Sequence, residues 1–233
     1  MLDNDSLIPL FPLNVVLFPG MMLPLHIFEE RYKLMVRECL TGDRLFGVIL
    51  AKNKRAQAPH VVELNPDDIY NVGTTAHIRA IENLDDGRMN LITVGQDRFI
   101  INNILPSKDD FLIGRVGPLV MEDNDQVRVE SMAQKLRPLV RQYIEHLGNA
   151  SGEDLSGTVL PADPKDLAFL AGAAMQGPLP DKQKLLASGT LTELMANATS
   201  ILDREEQILA YMLRAYHAHQ EVERLPFVDY SLN

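Results

Sequence analysis

Histidines are the first side chains to weigh for chemistry, and the chain has six: His26, His60, His77, His146, His217 and His219. None stands four residues from another on a helical segment, and H-E-x-x-H does not occur, so the usual helical zinc pair is missing. His217 and His219 are two residues apart, which on a helix points them in different directions. The paired carboxylates Asp85-Asp86, Asp109-Asp110 and Glu205-Glu206 could do acid–base work only if their surroundings split their pKa values. They fall in turns or on the polar side of a helix, where solvated charge accounts for them. No glycine is followed by lysine, which rules out a Walker A phosphate loop, and neither G-x-S-x-G nor G-x-G-x-x-G is present. Ser131 and Ser188 could serve a hydrolase only if folding carried a histidine to one of them, and no spacing supports that. Cys39 is the only cysteine, so an intrachain disulfide and a thiolate zinc site are both excluded. The expectation is a protein without catalytic residues, metal or cofactor, and not an enzyme.

What remains to carry function is apolar, and the surrounding elements decide whether it meets solvent. Residues 7–28, LIPLFPLNVVLFPGMMLPLHIF, hold no charged side chain and are about long enough to cross a bilayer as a helix. Pro9, Pro12, Pro19 and Pro24 forbid that helix, since each interior proline costs about 3 kcal/mol and biases its predecessor to extended backbone. The run therefore predicts buried strands at Leu7–Phe11, Val15–Phe18 and Leu23–Ile27, with a turn at Pro19-Gly20 and no membrane anchor. A helix is predicted over Glu29–Leu40, with Tyr32, Met35, Val36, Cys39 and Leu40 on one stripe and Gly42 as a left-handed cap. Cys39 lies on that stripe and reads as a small core residue.

Farther on, LFGVILA (45–51) is a strand, and Val72, Thr74, Ala76, Ile78 and Ala80 alternate as in a half-buried one. DDGR (85–88) marks a hairpin, and the return strand MNLITV-G-QDRFIIN is expected to bulge or bend at Gly95. A short further strand is expected at His60–Leu64, and FLIGRV (111–116) closes the region. From MEDNDQ (121–126) onward the spacing is helical. Val129, Met132, Ala133, Leu136, Val140, Tyr143, Ile144 and Leu147 form one stripe, ending at Gly148-Asn149 and bent or broken near Pro138. Asp163-Pro164 opens a second helix, PLPDKQKLLAS a short third, and the capping box TLTE (190–193) a long last one. On the last helix Leu191, Leu194, Met195, Ala198, Leu202, Leu209, Met212, Leu213 and Tyr216 share a side. The fold class is α+β: a β-rich domain over residues 1–120 with one helix, then a helical bundle over 121–233.

Phe18, Met21, Met22, Phe28 and Tyr32 exceed what a short hairpin and one helix need. Methionine adapts to varied partners and exposed apolar patches mark interaction sites, so these five are the candidate contacts for a polypeptide client. A net charge of −10 repels phosphate backbones, and nucleic acid is not expected as a partner. The acidic start MLDNDS lacks the basic region of a signal peptide, which predicts a cytoplasmic protein.

Three segments resemble a known family: PLFPLNVVLFPGMMLPLHIFEERYKLMVRECL, YNVGTTAHIRAIENLDDGRMNLITVGQDRFII and LPDKQKLLASGTLTELMANATSILDREEQIL. In this order they resemble the N-terminal substrate-binding domain of the ATP-dependent protease Lon, over roughly residues 7 to 215. The resemblance implies a PUA-like β pseudo-barrel followed by a helical bundle, in a standalone bacterial form. It implies binding of unfolded or specific polypeptide clients, or of a protease or ATPase partner. Lon's ATPase and peptidase modules would follow such a domain; the chain ends at Asn233 without them, so neither activity is expected here. The alternatives are a PUA-like RNA-binding module and a regulatory oligomerisation module.

Overall fold

The computed structural model describes residues 2–53, 66–106, 108, 110–122 and 125–223. The strand placed within His60–Leu64 lies outside them, as do the side chains of His217 and His219. In chain order the strands are β1 Ser6–Leu13, β2 Met22–Ile27, β3 Leu45–Ala51, β4 Ile69–Asn83, β5 Met89–Pro106 and β6 Leu112–Pro118. The helices are α1 Glu30–Thr41, α2 Gln126–Ser151, α3 Pro164–Ala174, α4 Leu179–Leu186 and α5 Leu191–Glu223. The strands make one mixed sheet in the order β2-β5-β4-β3-β1-β6, and β5 also pairs with β6, which closes the sheet on itself. Only β1 and β3 run parallel; the other pairings are antiparallel.

Closure is made compact by small residues facing large ones. Leu10 and Phe99 fill the interior, opposite Gly47, Gly73 and Gly114. A Cβ at Gly47 would stand 2.7 Å from Phe99 Cζ, and one at Gly114 would stand 2.7 Å from Leu10 Cδ1. On the outer side, α1 lays Tyr32, Met35, Val36 and Cys39 on Leu23, Ile27, Phe46, Ile78, Met89 and Leu91. The predicted stripe is thus buried except for Leu40, which is exposed at the helix end. Burial pushes the Cys39 thiol up to about 12, so it stays protonated at neutral pH. Gly42 is not the left-handed residue. The helix runs on to Thr41, whose hydroxyl donates to Glu38 O, and Arg44 takes the positive φ of 58° while its N–H donates to Cys39 O.

Several predicted turns appear with their expected chemistry. Gly87 has φ of 78° in the β4–β5 hairpin, and the bulge near Gly95 is pinned by Thr75. Thr75 Oγ1 accepts from Asp97 N–H at 3.0 Å and donates to Asp97 O at 3.2 Å. Val15–Phe18 is not a strand. It is an irregular buried segment, stabilised by Thr74 Oγ1 donating to Leu17 O at 2.6 Å and followed by the Pro19-Gly20 turn. In that turn Met21 N–H donates to Phe18 O and Gly20 adopts φ of 78°, as a type II turn requires.

Element type changes between β6 and α2, yet the helical half does not keep a core to itself. Its cluster includes Val16, Phe18, Leu50 and Val72 from the first half. Phe18 lies against Phe169, with ring centroids 6.2 Å apart, and a Cβ at Gly172 would fall 2.6 Å from Phe18 Cζ. Helix α2 passes Pro138 without a break, because that residue is on the exposed side where the freed carbonyl can turn to water. It also passes Gly148 and ends at Gly152, the left-handed cap with φ of 77°. Asp163 caps α3, accepting from Asp166 N–H at 3.0 Å. Thr190 Oγ1 accepts from Glu193 N–H, while the Glu193 carboxylate reaches Gly189 N–H rather than that of Thr190, a shifted form of the capping box. Along α5, Leu194, Met195, Ala198 and Leu202 are buried, but Ile208, Tyr211, Met212 and Tyr216 are exposed on its distal part.

Candidate functional site

Among the described residues, the β2–β5–β4 part of the sheet is covered by α1 on one face and open on the other. Register aligns three outward rungs: Met22 with Val94 and His77, Pro24 with Ile92 and Ala80, and His26 with Asn90 and Glu82. Their neighbours Leu23, Ile27, Ile78, Met89 and Leu91 point the other way, into the cluster under α1. The first two rungs make an apolar strip, and Phe28 extends it just past the end of β2. Met22 is 61% exposed and Phe28 62%, so these large side chains are left in water by a sheet that is otherwise packed. Among the described residues β2 pairs only with β5, which leaves one edge unpaired; Pro24 removes a donor and blunts it against strand addition. Contact through side chains is what this surface offers.

The far rung is polar and ordered. Asn90 Oδ1 lies 2.8 Å from His26 Nδ1, and Asn90 Nδ2 donates to Glu82 Oε2 at 2.8 Å. Arg88 Nη1 stands 3.3 Å from His26 Nε2, which assigns the proton of the neutral ring to Nδ1. Arg88 also pairs with Asp86 and holds that carboxyl below the usual carboxylate range. The rings of His26 and Phe28 are 6.2 Å apart, joining the apolar strip to the polar rung. At the opposite end, His77 Nδ1 is buried without a hydrogen-bond partner. Desolvation, then Arg79 and Arg44, push its pKa down, so that ring is neutral.

Of the five residues nominated from sequence, three are near or on this surface and two are not. Met22 and Phe28 are on it, and Met21 is half-buried beside it, touching both large core clusters. Phe18 is fully buried among the helices and has no surface to present to a client. Tyr32 is also buried, its ring 4.1 Å from that of Phe11 with the Arg31 guanidinium 4.4 Å from its centroid. Both are packing residues. Ile92, Val94 and Pro24 share this face and were not nominated: MNLITV is apolar on both faces, so alternation alone does not say which face is covered.

Nothing on the strip is arranged for covalent chemistry. The Ser188 hydroxyl is 3.4 Å from Lys184 O and accepts from Asn197 Nδ2, and Ser131 is exposed on α2. Among the described residues no group of three or more His, Cys, Asp or Glu side chains could hold a metal ion. Among them, too, no helix is long and apolar enough to cross a membrane.

Comparison with known proteins gives this geometry a context. The family model described as the ATP-dependent protease La (LON) substrate-binding domain matches residues 7–204. Lon protease of Anaeromyxobacter dehalogenans is 26% identical over 213 residues, covering 89% of this chain and 24% of that protein. Lon protease 2 of Myxococcus xanthus gives the same identity and coverage. This chain therefore spans about a quarter of the length of the curated relatives it matches. Among solved structures, the N-terminal domain of Mycobacterium avium complex Lon protease superposes with TM-score 0.62 at 17% identity, over 87% of this chain and 98% of that one. The Lon N-terminal domain protein from Xanthomonas campestris gives TM-score 0.55 at 18% identity, over 84% and 98% respectively. At these identities the structures speak for the fold, and the family model for kinship: the chain belongs to the family of the Lon protease substrate-binding domain.

Proposed function

We propose that this protein is a non-enzymatic recognition module that binds unfolded or otherwise apolar polypeptide segments, in the bacterial cytoplasm and in association with proteolysis. The observation that carries the reading is the strip of Met22, Pro24, Ile92, Val94 and Phe28, left open on a sheet whose other face is fully packed. Unfolded chains expose apolar side chains, and each ~100 Å² of apolar surface removed from water contributes ~2.5 kcal/mol before the costs of association. Methionine at position 22 adds adaptability to different clients. A protease or ATPase that consumes the bound segment is the partner the family suggests. A second reading, regulatory self-association, is favoured by Ile208, Tyr211 and Met212 exposed on α5.

The paired substitution Met22→Ser and Phe28→Ser tests the leading reading. Both side chains are exposed, so the circular dichroism spectrum and melting temperature are expected to stay as in the parent. Affinity for a permanently unfolded protein, such as reduced and carboxymethylated lactalbumin, is expected to fall at least ~10-fold by fluorescence anisotropy. Unchanged affinity in the folded variant would remove the strip from the account.

A further inference from the structure

A cleft of about 990 Å³ lies between the closed sheet and the helical half. Leu119, Met121, Phe169 and Leu191, with the Pro19-Gly20 turn, supply its apolar lining, and Gln96 with several charged residues its polar lining. Val120 stands in its mouth, 67% exposed. Leu191 also lines a second depression of 450 Å³ beside Val129 and Glu130, so the apolar surface continues past the start of α5. An elongated occupant fits this shape better than a compact one.

The rim of the cleft has a sign. Asp97, Asp163 and Asp166 line it and are exposed, against one exposed cation, Lys165. Arg98 also lines it and keeps its charge, but its guanidinium is buried and turned to three carbonyls: Leu186 O and Ser188 O at 2.7 Å, and Leu119 O at 3.2 Å. The backbone N–H and C=O of Asp97 are both engaged by Thr75, which fixes the bulge and leaves its carboxylate at the edge of the cleft. None of the buried polar atoms lacking a partner among the described residues, on His77, His146, Gln183 and Glu206, belongs to a residue of this lining. No buried polar group is thus held open for a small ligand, and an apolar side chain flanked by positive charge would match the apolar lining and the exposed carboxylates together.

We propose that this cleft is a second polypeptide-binding surface, selective for extended segments in which an apolar side chain is flanked by lysine or arginine. The inference rests on the polypeptide-binding reading above and adds to it a site and a charge preference. Two labelled peptides with one apolar centre, flanked by lysines in the first and by glutamates in the second, test it on the full chain. The lysine-flanked peptide is expected to bind ~10-fold more tightly at low salt, and the gap to shrink as salt screens the exposed rim. Substituting Asp97→Asn and Asp166→Asn together is expected to abolish most of the gap. Asp43→Asn, the same charge change on the turn after α1, is expected to preserve it. Equal affinity for the two peptides, or a gap that survives the Asp97 and Asp166 substitutions, would overturn the cleft while unfolded lactalbumin binding kept the broader reading alive. Loss of binding to both peptides and to unfolded lactalbumin would end both.

Discussion

Replacing Glu205 with alanine is expected to lower the free energy of unfolding by ~4 kcal/mol. Glu205 is a buried carboxylate on α5 that ties three helices together. Its Oε2 accepts from Tyr143 Oη on α2 at 2.8 Å and from Gln176 N–H at 3.0 Å, and its Oε1 accepts from Gly177 N–H at 3.1 Å. The last two donors belong to the α3–α4 connection, which is only partly buried. A side chain at Gly177 would collide with the same carboxylate. Burial, then the hydrogen bond to Glu205, pushes the Tyr143 phenol up, so it remains the donor across the whole practical pH range. Alanine removes the acceptor of the buried Tyr143 hydroxyl and of the half-buried Gly177 N–H and opens a void, while Gln176 N–H keeps Tyr143 Oη at 3.1 Å. Glu205→Gln should fall between parent and alanine, since one of its two terminal atoms then presents hydrogens to a donor. Urea unfolding followed by circular dichroism measures this; a loss below ~1 kcal/mol for Glu205→Ala would show that the connection finds other acceptors.

Arg98→Met is expected to cost ~3 kcal/mol by the same measurement. Arg98 sits on β5 and reaches across to the end of α4, where it serves Leu186 O and Ser188 O, and to the segment after β6, where it serves Leu119 O. Its guanidinium carbon is 5.7 Å from the Phe169 ring centroid. Burial pulls its pKa down to about 10, partly opposed by Glu193, and the group stays charged at neutral pH. Methionine keeps the apolar stem and removes every donor, leaving three carbonyls facing each other where sheet and helices join. The relief of no longer burying a cation offsets part of that loss, which keeps the figure below that for Glu205. Arg98→Lys should recover some of it, since an ammonium can serve some of these carbonyls but lacks the planar fork. A variant as stable as the parent would mean that water replaces the guanidinium without cost.

These two residues also show where sequence reading stops. The Asp86-Gly87 hairpin, the Asp163-Pro164 helix start and the apolar stripe of α1 were legible because each is a local pattern with a local cause. Arg98 read as one more strand residue and Glu205 as solvated charge, since what defines them is a partner 88 and 62 positions away respectively. Phe18 failed for the same reason: its neighbours in sequence suggest a strand, whereas Phe169 and Gly172 draw it into the helical core. Of the nominated residues that are exposed, Met22 was legible because a Met-rich, proline-bounded loop is unusual core material, and Phe28 rested only on the excess of apolar side chains in that stretch. Tyr32 was nominated on composition although its helical spacing with Met35, Val36 and Cys39 already placed it on the buried stripe.

Photo-crosslinking tests the central claim, that apolar polypeptide docks on the open face of the sheet. A benzophenone side chain placed singly at position 22 or 28 is expected to capture unfolded lactalbumin on illumination. The same probe at Leu40, exposed on α1 on the covered side of the sheet, is expected to capture little. Equal capture at all three positions, or none at 22 and 28, would contradict the account.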